Sequence, residues 1–210
     1  MLRLVPDFAF VAGSLVEQPV IGVDDAGRIC APVESAPLRR LAGRLLLPGF
    51  VNAHSHAFQR VLRGRTELRG EGNESDDFWS WRERMYQAAT ALSPEQLYAV
   101  SRQTFLEMAL AGVTTVGEFH YVQHQADGTP YDDVSLLAKT VIQAARDVGL
   151  RIVLLRVGYA RAGHQVAPNP RQRRFIDPDV EVFLSRVEAL RRSVADPLVS
   201  VGLAPHSVRA

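Results

Sequence analysis

Two hydrophobic periods alternate along this 210-residue chain. From Asp77 to Leu92 the apolar positions Phe78, Trp81, Met85, Ala89 and Leu92 recur every three or four residues, which predicts a helix with one apolar stripe. Ser93-Pro94-Glu95-Gln96 starts a second helix, with Ser93 as N-cap, Pro94 at the first helical position and Gln96 closing a capping box. That helix runs to Ala111, and Gly112 ends it. A third helix is predicted from Asp132 to Val148, closed by Gly149. A fourth runs from Asp177 to Val194, with Val180, Phe183, Leu184, Val187, Leu190 and Val194 on one face. Strand-like runs separate the helices: Phe50-Val51 leading to His54, Val113 to Phe119, Arg151 to Val157 with its unbroken Ile-Val-Leu-Leu, and Val199 to Leu203. Strand and helix therefore alternate, the order of βα units on a parallel sheet.

The first 44 residues read differently. Phe8–Val11 and Val20–Val23 are short strands, and Asp24-Asp25-Ala26-Gly27 is a turn. This piece is too small to hold a core alone and is expected to be a small β-domain beside the α/β part, with the boundary at 44/45. The apolar patch Phe8–Val16, broken by Gly13 and Ser14, is too short to span a bilayer and lacks a signal-peptide layout.

Composition narrows the partners. A formal charge of +1, from 24 basic and 23 acidic residues, argues against a nucleic acid or a membrane surface and for a small molecule. Cys30 is the single cysteine, so nothing requires an oxidising compartment, and a cytoplasmic location is expected.

Polar groups gather where the strands end. His54 and His56, one residue apart after the first strand, project to one side of an extended segment and can grip one metal ion; the alternative is a pair of solvated loop histidines. Glu118, His120 and Tyr121 follow the second strand, and His206 and Arg209 the fourth. Glu118 is either catalytic or a buried carboxylate paired with an arginine. Arg82 falls within the apolar stripe of the first helix, either ion-paired structurally or waiting for a substrate carboxylate. His206 is open to three readings: substrate contact, metal ligand or structural histidine. His120 and His124 would suit a metal only on a helix, and His164 is expected to be exposed.

The stretch Leu47-Pro48-Gly49-Phe50-Val51-Asn52-Ala53-His54-Ser55-His56 resembles the opening signature of the metal-dependent amidohydrolases. That resemblance implies an α/β fold, a (β/α)8 TIM barrel with the metal at its C-terminal mouth, and zinc ligands in His54 and His56. Residues 45–210 would supply about the first four βα units, since about 165 residues follow residue 45 and a complete barrel takes about 250. With Phe78-Trp-Ser-Trp-Arg82, Glu118-Phe-His-Tyr121 and Gly202-Leu-Ala-Pro-His206-Ser-Val-Arg209, the chain resembles more narrowly the N-formimino-L-glutamate deiminases of histidine breakdown. General deaminases share the His-x-His but not the Trp-Arg helix or the Phe-His-Tyr strand end. The narrower resemblance implies that Gln59 and His206 contact the formimino group, that Tyr121 and Arg82 bind the glutamate portion, and that Arg209 pairs with a carboxylate. A dicarboxylate is a fitting ligand for two arginine forks.

It also implies that further metal ligands and the general acid/base lie beyond Ala210, so the 210-residue chain alone is expected to be inactive. A related aminohydrolase acting on a guanidino or nucleobase compound is the runner-up, and a non-catalytic barrel remnant is the reading from another class. Strands left without neighbours favour self-association, so a homodimer is a further expectation.

Overall fold

The computed structural model describes residues 1–67 and 77–207. The polar, glycine-bearing stretch Arg69–Ser75, which composition reads as a loop, lies outside the described residues, as does Arg209. The chain divides into two compact units, Met1–Gly49 and Phe50–Ala210.

The first unit is a five-stranded sheet of β1 (Leu2–Val11), β2 (Ser14–Glu17), β3 (Ile21–Val23), β4 (Ile29–Cys30) and β5 (Leu38–Leu46). The patch Phe8–Val16 becomes a hairpin: β1 and β2 pair antiparallel around Ala12-Gly13, both at positive φ, the backbone that a tight hairpin turn demands. At the predicted turn, the Asp24 carboxylate accepts hydrogen bonds from the Ala26 and Arg28 N–H groups, and Gly27 takes a positive φ. The expected boundary at 44/45 falls later. Leu45 and Leu46 pair with Phe8 and Ala9 as the end of β5, and the break follows Pro48-Gly49.

The second unit is built on a four-stranded parallel sheet in chain order: β6 (Phe50–Ser55), β7 (Val113–His120), β8 (Arg151–Gly158) and β9 (Val199–Pro205). Helices α1 (Phe78–Ala91), α2 (Pro94–Leu110), α3 (Leu136–Val148) and α4 (Val180–Ser193) lie between the strands in sequence. Period-two alternation sorts the strand side chains. Val116, Ile152 and Leu154 are buried in one core with Leu97 and Phe105 of α2, Leu137, Val141 and Ala145 of α3, and Leu190 of α4.

The capping box at Ser93/Gln96 forms as predicted. Gly112 and Gly149 take positive φ where α2 and α3 end. Two helices start later than the apolar pattern suggests. α3 begins at Leu136 because the Asp133 carboxylate accepts from Ser135 N–H, making a turn of the preceding residues. α4 begins at Val180 with Asp179 as its cap, beyond Pro178. On its predicted face Phe183, Val187 and Leu190 are buried, whereas Val180 and Leu184 are exposed.

Two connections are 3-10 helices, Ala57–Leu62 and Pro170–Phe175. The second places Arg174, which is 1% exposed, against the last turn of α1. Its guanidinium donates to the carbonyls of Ala89, Thr90 and Leu92, and also of His124. These α1 carbonyls lack helical partners and sit at the negative end of the helix dipole, so the cation both satisfies and complements them. Arg174→Lys offers one short ammonium in place of the fork. It is expected to lower unfolding free energy by about 2 kcal/mol in urea denaturation.

Candidate active site

Strand alternation sends His54 and His56 to one face of the sheet and Ser55 to the other. The two Nε2 atoms stand 3.1 Å apart, with the rings edge to face. His56 Nδ1 lies 3.0 Å from the Phe119 carbonyl oxygen, which assigns the proton to Nδ1 and leaves Nε2 its lone pair. Burial lowers the His56 pKa, the Phe119 bond opposes that, and nearby His54 lowers it further; the net is downward, so the ring is neutral near pH 7.

Two nitrogens each about 2.0–2.1 Å from one tetrahedral ion would lie about 3.3 Å apart, close to the separation observed. The donor chemistry and the spacing thus fit a zinc-class cation. Among the described residues no third His, Cys, Asp or Glu joins the pair.

The pair opens on a cavity of about 380 Å³. Gln59, Arg82, Tyr121 and His206 line it too, so four residues singled out from the sequence share one space with the two histidines. Gln59, from the 3-10 helix after β6, donates its amide to the Tyr121 hydroxyl at 2.7 Å. That hydroxyl donates in turn to Met85 Sδ at 3.6 Å, a weak acceptor that a ligand oxygen can replace. Burial raises the Tyr121 pKa, so it remains a neutral donor.

Arg82 projects from α1 into the cavity wall, its guanidinium 4.4 Å from the Trp79 ring centroid and 5.5 Å from that of Tyr86. Among the described residues no carboxylate pairs with it, and its Nε is buried without a partner. Among the described residues the reading as a structural ion pair thus finds no partner. His206, after β9, packs with its ring centroid 4.4 Å from that of Tyr159 and 5.4 Å from that of Tyr121.

The other sequence candidates lie elsewhere. Glu118 is buried on the opposite face of β7 from Phe119, with no arginine paired to it among the described residues. Its Oε1 accepts from Ala57 N–H at 2.8 Å, and burial pushes its pKa up to about 7 against the smaller opposing effects of the neighbouring Ser55 hydroxyl and that N–H. His120 is buried beside Arg156, and desolvation followed by that cation pushes its pKa down to about 3, so it stays neutral. His124 lies in the loop after β7, not on a helix, and is buried against Ile176 O at 3.1 Å and Asp177. His164 is exposed as expected.

Tyr86, Tyr159 and Gln172 were not singled out from the sequence. The two hydroxyls meet at 2.9 Å, and the Gln172 amide donates to both, at 3.0 and 2.9 Å. Tyr159 follows Gly158 directly at the end of β8, the same position relative to a strand that drew attention to His206; that signal was available.

The sequence profile of the amidohydrolase family matches residues 45–210, and the chain belongs to that family. Over 169 residues it is 43% identical to the formimidoylglutamate deiminase of Pseudomonas aeruginosa, an alignment covering 80% of this chain and 37% of that protein. A crystal structure of an amidohydrolase from Brucella melitensis superposes with a TM-score of 0.89 at 36% identity, covering 100% of this chain and 47% of the other. The zinc complex of atrazine chlorohydrolase from Arthrobacter aurescens shares the fold, with a TM-score of 0.75 at 20% identity over 98% of this chain and 46% of that one. The chain thus spans less than half the length of these relatives.

Among the described residues no helix is long and apolar enough to cross a membrane.

Proposed function

We propose that the protein carrying this chain is a zinc-dependent deiminase that hydrolyses N-formimino-L-glutamate to N-formyl-L-glutamate and ammonia. One observation carries the reading: the paired imidazoles and an arginine without a carboxylate partner among the described residues face the same cavity, a cation site and an anion site within one small-molecule space. The likeness to the Pseudomonas aeruginosa enzyme supports the choice of substrate. On this reading the four parallel strands belong to a (β/α)8 barrel, and the reaction belongs to histidine breakdown in the cytoplasm.

His54 and His56 hold the metal, which when bound supplies Lewis-acid activation of water near neutral pH. The rest is done by side chains of this chain. Phe119 keeps the proton on His56 Nδ1, and with it the Nε2 lone pair toward the cavity. Gln59, an amide that is both donor and acceptor, orients the formimino nitrogens without competing as a metal ligand. His206 approaches the same group from β9. Arg82 grips one substrate carboxylate through its fork, Tyr121 donates to the glutamate portion, and Arg209 is assigned the second carboxylate. Water adds to the formimino carbon, the carbon–nitrogen bond breaks, and ammonia leaves with the formyl oxygen retained from water. A nucleobase carries no carboxylate for Arg82, which disfavours the runner-up.

Arg82→Ala in the intact gene product is expected to raise KM for N-formimino-L-glutamate by about 10- to 100-fold, the loss of one charge-assisted contact, with a smaller change in kcat. Steady-state assays of ammonia release check this. An unchanged KM would remove Arg82 from the carboxylate site.

A further inference from the structure

We infer that Glu118 is a positioning residue for the metal-binding pair, holding from behind the sheet the segment that aims His54 and His56 into the cavity. The inference rests on the metal reading above and concerns a buried group that the proposed chemistry does not touch.

The backbone between β6 and β7 shows why such a brace is needed. The parallel ladder pairs Asn52 with Val116 and Ser55 with Glu118, but the register shifts between them, so regular pairing is interrupted where Ala53 and His54 lie. Two contacts from adjacent β7 residues span the end of the strand, beside the Ser55–Glu118 ladder pair. The Glu118 carboxyl accepts from the Ala57 N–H at 2.8 Å, holding the residue that follows His56. The next residue, Phe119, holds the His56 ring itself through its carbonyl at 3.0 Å. Residues 55, 56 and 57 are thus each tied to 118 or 119.

The chemistry of the site favours a directed role over simple filling. Glu118 is 1% exposed, and burying a carboxyl carries a desolvation cost that an apolar side chain of similar size would avoid. Among the described residues its Oε2 has no hydrogen-bond partner to offset that cost. What the carboxyl provides is an acceptor for the Ala57 N–H, which leucine cannot supply. Outer partners of this kind typically change metal affinity by about 10- to 100-fold when removed.

The test uses the intact gene product and Zn²⁺ alone. Its dissociation constant is measured by competition with a chromogenic chelator, and the visible absorption bands of the Co²⁺-loaded protein are recorded beside it. Glu118→Leu is expected to weaken Zn²⁺ binding by about 10- to 100-fold and to shift the Co²⁺ bands, because the imidazoles are no longer held at their separation. Glu118→Gln, which keeps an acceptor for Ala57, is expected to stay within about threefold of wild type. A merely structural role would lower the melting temperature of Glu118→Leu without moving the Co²⁺ bands or the Zn²⁺ constant, and that result would overturn the inference. Should Glu118→Leu fail to fold, the smaller Glu118→Ala decides: wild-type affinity there overturns it, and weakened affinity with shifted Co²⁺ bands supports it. Wild-type protein that takes up no metal would overturn the metal reading itself, and this inference with it. Normal wild-type uptake with unchanged variants would overturn the inference alone.

Discussion

His56→Ala is expected to abolish stoichiometric metal uptake and to cut ammonia release from N-formimino-L-glutamate by at least about a thousandfold in the intact protein. The size follows from what is lost. A bound cation that activates water contributes several kcal/mol to the transition state, and each 1.36 kcal/mol is a factor of ten in rate. Removing His56 leaves His54 as the single imidazole at the end of β6, and it also leaves the Phe119 carbonyl without its ring partner. The comparison variant is His164→Ala, an exposed histidine outside the cavity, which is expected to retain full activity and metal. Elemental analysis and a coupled ammonia assay on the same samples separate the two. Loss of activity with metal retained in His56→Ala would show that another group holds the ion.

Asp177→Ala is expected to have the largest effect on stability, about 3–5 kcal/mol by urea denaturation. Asp177 binds Arg156 through two contacts, at 2.5 and 3.1 Å, and also Arg186, with His124 Nε2 at 3.5 Å. Arg156 is only 1% exposed, so deleting the carboxylate strands a guanidinium in the core with no other anion in reach among the described residues. Burial by itself would raise the Asp177 pKa, but hydrogen bonds from His124, Arg156 and Arg186 more than offset it, and the carboxyl is held well below the usual range. The sign of the pH dependence follows. A depressed folded pKa contributes stability that is present above the unfolded value of about 3.9 and is lost as pH falls through the folded value. The gap between wild type and Asp177→Asn is therefore expected to be flat from about pH 5 to pH 8 and to close below about pH 4. A gap that narrows near neutrality instead would show that Asp177 is not ionised in this cluster.

How far the fold could be read from residues alone varied with the range of the interactions involved. Helix α2 was legible because Ser93, Pro94 and Gln96 act within one turn, and the capping box they make is local. The starts of α3 and α4 were not. Asp133 and Asp179 bend the chain through their own side-chain bonds, which compete with the helical pattern that the apolar residues suggest. The last residues of the first unit misled in the same way, since Leu45 and Leu46 look like the start of the His-bearing strand but pair with β1 across more than thirty positions of sequence.

In the site, the shared direction of His54 and His56 was legible from strand period, and the inward placement of Arg82 from the helical stripe. Glu118 was legible as a buried carboxylate, but its partner was not: the Ala57 N–H comes from the 3-10 helix after β6, and only the pairing of β6 with β7 brings the two together. Tyr86 and Tyr159 depend on Gln172, which reaches them from a 3-10 helix in the loop after β8, a placement no local pattern announces.

On the proposed function, the His54 and His56 pair and Arg82 share one deiminase site. Ammonia release from N-formimino-L-glutamate by the intact gene product, assayed as purified, after removal of metal with a chelator, and after restoring Zn²⁺, decides it. Activity is expected to fall on chelation and to return in proportion to the Zn²⁺ bound. Release of ammonia that is indifferent to chelation, or metal-loaded protein that leaves this substrate untouched, would refute that reading.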